Sequence, residues 1–180
     1  MIQVVDDIVD IFDQEIIKNF LFKEGTWNFI EDISQKDNKH QTRPGFKQIF
    51  EHLHPSIAEL YLKCSKKANI KNPELLEARS FLQLPLEKNF VGEGVDTPHL
   101  DRTTPHTVFL YYVNDSDGDT IIYDYKSKDE NDIPFFEDIN VLEKVTPKQG
   151  RVVIFDGLLW HTAEQPRKNK RCILNFNVNK

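Results

Sequence analysis

Cysteine is nearly absent: Cys64 and Cys172 are the two in 180 residues, which excludes a disulfide framework. Cys172 falls in an apolar, strand-like pattern and reads as a small buried hydrophobe. No segment approaches the roughly 20 apolar residues that cross a bilayer. The opening MIQVVDDIVD has neither a basic start nor a long apolar run. These absences predict a soluble, cytoplasmic protein of a reducing compartment. Positive charge is also short, with 23 Lys and Arg against 29 Asp and Glu and a net charge of −6. Generic binding to nucleic acid or to an anionic membrane is therefore disfavoured. The basic runs at Lys66-Lys67 and from Arg167 to Arg171 read as solvated faces. His-Glu-x-x-His and His-x-His-x-Asp-His are both missing, which removes the usual zinc-hydrolase signatures. Asp115 to Thr120 is a poor calcium loop, because its glycine is misplaced and its twelfth position is Lys126.

What is present is aromatic: 13 Phe and two Trp, suited to a core of aromatic-rich strands. The length fits one domain, residues 1–180, with a sizeable core. Ile2 to Val5 reads as a short strand. Asp13 caps a helix through about Lys23, with Ile16, Ile17, Phe20 and Leu21 on one face and Gly25 as its stop. Trp27 to Ile30 is extended, and 31–43 is a loop. Phe46 to Leu53 has helical periodicity. Pro55 opens a second helix carrying Ile57, Leu60, Tyr61 and Cys64 and ending near Asn69.

The period then changes. Glu77 to Leu84, Val108 to Val113, Ile121 to Tyr125, Val152 to Phe155, Leu158 to Ala163 and Cys172 to Val178 all read as strands. Asp117-Gly118 predicts a hairpin turn. Residues 126–140 read as a loop with an apolar tip, Phe135-Phe136, that either closes over a site or lies on the surface. Residues 1–75 are thus mainly helical support and 76–180 the strand core. That order predicts an α+β fold, a sandwich or barrel buttressed by helices.

The chemistry centres on Thr97-Pro98-His99-Leu100-Asp101. Residues two apart on an extended chain share a face, so His99 and Asp101 can reach one ion. His161 is the best third ligand, since a lone His in the apolar run Leu158 to Thr162 would be costly to bury without a partner. Two His and a carboxylate form a facial N/O set suited to iron(II), with positions left open. A His-x-Asp pair alone also arises by chance, as a turn carboxylate beside a surface His. His40, His52, His54 and His106 show no such pattern, although His106 competes as a ligand. Arg171 opens the last strand ten residues after His161, and the spacing predicts a hairpin that sets it beside the metal face. A guanidinium there grips a carboxylate with paired hydrogen bonds. By parity Arg171, Ile173, Asn175 and Asn177 share one face, which is either solvated or lines a polar interior.

With these residues assembled, the stretch from about Phe81 to Val178 resembles the 2-oxoglutarate/iron(II) oxygenase superfamily, and most of all its small prolyl-hydroxylase-like branch. Pro98 to Asp101 is similar to the first two ligands. Val108 to Asn114 is similar to the strand ending in Tyr-Leu-Asn, Asp117 to Thr120 to the Gly-Gly-Glu-Thr turn, and Pro147 to Phe155 to the strand leading to the distal His. The resemblance implies a double-stranded β-helix, or jelly roll, with N-terminal helices packed on one sheet. It implies iron on His99, Asp101 and His161, and the distal carboxylate of 2-oxoglutarate on Arg171, helped by Tyr112. Dioxygen is the implied co-reactant, with ascorbate in support. Asp101 argues against a halogenase, which lacks that ligand. Many prolyl hydroxylases carry Lys where Arg171 stands. Leu82-Gln83-Leu84-Pro85 replaces the family's Tyr-x-Pro-Gly, which leaves Gln83 or Asn175 as the partner of the keto-acid end. The implied substrate is a peptidyl or protein side chain such as proline. The alternatives are a free amino acid or other small molecule, and a non-catalytic jelly-roll binding module.

Overall fold

The strands form two antiparallel sheets, seven strands and three among the described residues, with an apolar layer between them. The computed structural model describes residues 2–33, 43–86, 95–129, 131–132 and 139–179. Its elements are β1 (Ile2–Val5), α1 (Ile11–Asn19), β2 (Asn28–Ile30), β3 (Gly45–Ile49), α2 (Pro55–Lys67), β4 (Glu74–Gln83), β5 (Thr107–Tyr112), β6 (Thr120–Lys126), β7 (Val141–Val145), β8 (Val152–Asp156), β9 (Leu159–Ala163) and β10 (Arg171–Asn179). The large sheet runs β1-β8-β5-β10-β4-β3-β2 and the small one β7-β6-β9.

Strand parity sorts the core. Val108, Leu110, Tyr112, Val153, Phe155 and Ile173 from the large sheet meet Ile122, Val145 and Leu159 from the small one. The other face of the large sheet, with Phe109, Tyr111, Cys172, Leu174 and Phe176, shares an apolar cluster with Ile17, Leu21, Ile57, Leu60 and Cys64. Tyr61 of α2 lies 5.8 Å from the Phe176 ring. Both cysteines are free and buried. Among the described residues no helix is long and apolar enough to cross a membrane.

Several expectations are revised. Asp10, not Asp13, caps α1: its side chain accepts the Asp13 N–H at 3.0 Å. The helix widens to a π-helical stretch over Phe20–Glu24, and the Trp27 indole donates to the Leu21 carbonyl in its last turn at 2.8 Å. Phe46 to Leu53 is not helical, because β3 pairs with both β2 and β4. With β1 on β8, the first 75 residues supply three strands as well as helices. Asp117-Gly118 is no hairpin turn: β5 and β6 lie in different sheets. Asp117 instead accepts the backbone N–H groups of Arg167, Lys168 and Asn169. β7 was not foreseen. The Phe135-Phe136 tip lies outside the described residues.

Candidate functional site

The two sheets flank a pocket that opens to solvent. His99, Asp101, Thr120 and His161 line one wall, and Arg79, Phe81, Gln83, Arg171, Ile173 and Asn175 the other. His161 stands on β9. His99 is bridged to it, with backbone N–H to carbonyl bonds of 2.9 and 3.1 Å. Each imidazole Nδ1 lies beside a carbonyl oxygen, Thr97 for His99 at 3.1 Å and Leu159 for His161 at 3.0 Å. A carbonyl only accepts, so Nδ1 carries the proton and Nε2 turns its lone pair inward. Both Nε2 atoms face Asp101 Oδ1, at 3.8 and 3.9 Å. The three ligand atoms lie within 4.8 Å of one another. This N/N/O set on one side fits a first-row divalent ion and leaves the other side open.

Electrostatics support ligand chemistry. Burial pushes the His161 pKa down to about 4, with the nearby His99 charge adding to the effect, so the ring is neutral. Burial raises the pKa of Asp101, but the Arg79 guanidinium above all, with a hydrogen bond from Asn175, outweighs it and holds the carboxyl well below the usual range. Asn175 Nδ2 donates to Asp101 Oδ2 at 2.9 Å, and Arg79 Nη2 donates to Oδ1.

Arg171 is fully enclosed, at 3% exposure. Its Nε donates to Gly118 O at 2.9 Å, Nη1 to Gln83 Oε1 at 3.0 Å and Nη2 to Thr120 Oγ1 at 2.7 Å. A guanidinium has five N–H bonds, so one remains on each Nη. No carboxylate among the described residues pairs with it. Burial lowers its pKa, yet arginine stays charged. The Tyr112 hydroxyl donates to Thr120 Oγ1 at 2.7 Å, and its ring lies 5.7 Å from the guanidinium. With both lone pairs of Thr120 taken, its own proton is left for a ligand.

His99, Asp101, His161, Arg171, Gln83 and Asn175 thus converge on one pocket. Tyr112 stands one residue behind, acting through Thr120. Of the two residues suggested for the keto-acid end, Asn175 is beside the triad, whereas Gln83 bridges Arg171 to Asp96, donating to Oδ2 at 2.8 Å. Asp96 is itself ion-paired with buried Arg43. The predicted hairpin is not formed: β9 pairs with β6, and β10 with β4 and β5. Arg171 meets the triad across the sandwich instead. His106 is apart from the triad, with its Nδ1 2.7 Å from Thr104 O. His54 caps α2 through Ser56 N. Arg79 and Thr120 were missed. Parity with Gln83 along β4 was the available signal for Arg79.

No protein-family model matches the chain, and no curated protein matches it in sequence. Solved structures do resemble it. A viral collagen prolyl hydroxylase from Paramecium bursaria Chlorella virus-1, in complex with 2-oxoglutarate, superposes with a TM-score of 0.63 at 14% identity, over 98% of this chain and 94% of that one. A 2-oxoglutarate-Fe(II) oxygenase family oxidoreductase from Burkholderia pseudomallei gives 0.68 at 12%, over 99% and 84%. HygX from Streptomyces hygroscopicus, with nickel, 2-oxoglutarate and hygromycin B bound, gives 0.66 at 14%, over 99% and 82%. At these identities the likeness is one of fold, and the chain shares the double-stranded β-helix of the 2-oxoglutarate/iron(II) oxygenases.

Proposed function

We propose that the protein is an iron(II)- and 2-oxoglutarate-dependent dioxygenase that hydroxylates an organic substrate. One observation carries this reading: Arg171 is a buried guanidinium with two unused N–H bonds and no carboxylate partner among the described residues, across a pocket from a His/Asp/His set. An isolated buried cation is costly, and an anionic cosubstrate removes that cost.

In this reading His99, Asp101 and His161 hold iron, which with 2-oxoglutarate and dioxygen supplies the oxidising chemistry; ascorbate supports it. The protein contributes geometry. The Thr97 and Leu159 carbonyls fix both imidazoles, and Asn175 holds Oδ2 so that Oδ1 turns inward. Gly118, Gln83 and Thr120 aim the Arg171 fork at the distal carboxylate. Arg171 and Asn175 are four residues apart on β10, roughly 13 Å along an extended strand, which leaves room for a five-carbon diacid between their side chains. Ile173, Leu110 and Phe81 keep the interval apolar.

A peptidyl side chain such as proline is the first substrate to try, since 98% of this chain superposes on the fold of a collagen prolyl hydroxylase. A free amino acid or another small molecule is the alternative, given the equally good match to HygX. Incubation with iron, ascorbate and 2-oxoglutarate, followed by mass spectrometry of proline-rich peptides and of free amino acids, should show a gain of one oxygen and matching succinate. Calorimetry with manganese(II) should show 2-oxoglutarate binding that Arg171→Ala weakens by roughly 10- to 100-fold. Equal binding by the variant would remove the proposal.

A further inference from the structure

Arg79 is the second arginine in the pocket wall, and the reading above uses it only to hold Asp101 ionised. It lies on β4, opposite Asn175 of β10 and Ile49 of β3. Its side chain is 10% exposed. Nη2 donates to Asp101 Oδ1, Nη1 lies 3.3 Å from Glu77 Oε2, and Nε is buried with no partner. The oxygen it contacts is also the one that both imidazole Nε2 atoms face. A divalent ion held by Asp101 would compete with Nη2 for that oxygen, and Nη2 stands beside the unused Nε. Those two edges form a fork matched to a carboxylate.

A second cation lies against the Phe81 ring. Lys47 Nζ lies 5.5 Å from the Phe81 ring centroid, and the Arg79 guanidinium carbon 5.4 Å from that centroid. Lys47 is the cross-strand partner of Phe81 and has no ion pair among the described residues.

Charge counting points the same way. Asp96 is paired with Arg43, and Glu77 with Arg79. Asp101 and the two carboxylates of 2-oxoglutarate balance Arg171 and the divalent ion. Lys47 is left over. Among the described residues the unmatched positive charge lies on the Arg79 and Lys47 side rather than on the Arg171 side.

We propose that Arg79, with Lys47 across the Phe81 ring, receives a carboxylate of the molecule to be oxidised. The substrate class is then a carboxylic acid, either a free amino acid or other small acid, or a peptide bearing a free C-terminus or an acidic side chain. This rests on the cosubstrate reading, which supplies two of the counted charges.

The full chain, loaded with manganese(II) and 2-oxoglutarate, is titrated by calorimetry against three sets of probes. The first is the twenty free amino acids and their carboxamides. The second is a hexapeptide library with free or amidated C-termini, and the third is the same library with Asp and Glu replaced by Asn and Gln. Binders should need a carboxylate, with the amides weaker by about tenfold or more. Which set binds distinguishes small acids, C-termini and acidic side chains. Arg79→Gln should lose that preference, Arg79→Lys should restore part of it, and Lys47→Gln should weaken acids by roughly threefold. Circular dichroism confirms that each variant is folded.

Acids and amides binding alike, or no probe binding at all, overturns the proposal. So does Arg79→Gln weakening 2-oxoglutarate as much as the acids, which would assign Arg79 to the cosubstrate. Failure of the wild-type chain to bind 2-oxoglutarate is a separate result. It sinks the functional reading, and the charge count goes with it.

Discussion

Asp101 is an anion where burial opposes one, and His161 a base kept neutral for the same reason. The two residues respond to pH in different windows. The folded His161 pKa, about 4, lies below its ordinary 6.5, so between these values the unfolded chain binds a proton that the folded one refuses. Metal-free stability should therefore fall as pH drops from 6.5 towards 4. Asp101, with its pKa depressed, contributes above its ordinary 3.8 and is lost only in stronger acid. His161→Gln should flatten the first slope in thermal melts taken at several pH values. An unaltered slope would rule out His161 as its source. Thr120 is the other residue to test. Thr120→Val removes the acceptor for both Arg171 and Tyr112 and should weaken 2-oxoglutarate by about tenfold in calorimetry, while Thr120→Ser should leave it nearly intact.

The elements were legible to different degrees, for physical reasons. α2 was plain, because Pro55 opens it and Ile57, Leu60, Tyr61 and Cys64 repeat at helical spacing on one buried face. β10 was plain because its alternation is strict, and its polar face proved to be the pocket wall. Phe46 to Leu53 misled: Phe46, Ile49, Phe50 and Leu53 have helical spacing, but β2 and β4 claim the segment as a strand, and neighbours override local pattern. β7 hid because Val141–Val145 is short and carries Glu143 and Lys144 on a sheet edge, where charge is common. The triad was legible from two-residue parity plus one buried His. How Arg171 reaches it was not, since spacing along a chain does not say which sheet a strand joins. Leu60→Ala tests the helical support. It should cost about 3 kcal/mol in urea unfolding and leave 2-oxoglutarate affinity little changed below the transition, because Leu60 packs on the face away from the pocket.

At the scale of the whole molecule, the candidate ligands divide between the two sheets. His161 belongs to the small sheet, and His99 is bridged to it, while Arg171 and Asn175 belong to the large sheet. Within the core, the small sheet meets the large one through Ile122, Val145 and Leu159, a thin layer beside the helix-backed cluster on the other side. Manganese(II) and 2-oxoglutarate together at about 100 times Kd should add about 2.7 kcal/mol of stability, visible as a rise in Tm. No rise would argue against binding to the folded state.

The placement of Arg171 opposite His161, rather than beside it in a ladder, has a mechanical result. A diacid anchored at both ends is a removable rivet through the sandwich. Its arrival should tie the motion of β6 and β9 to that of β4 and β10. Amide exchange in the small sheet should then slow on binding while α1 and α2 exchange as before. On the proposed function, readiness to react and the cohesion of the two sheets become one property, switched on by the arriving diacid.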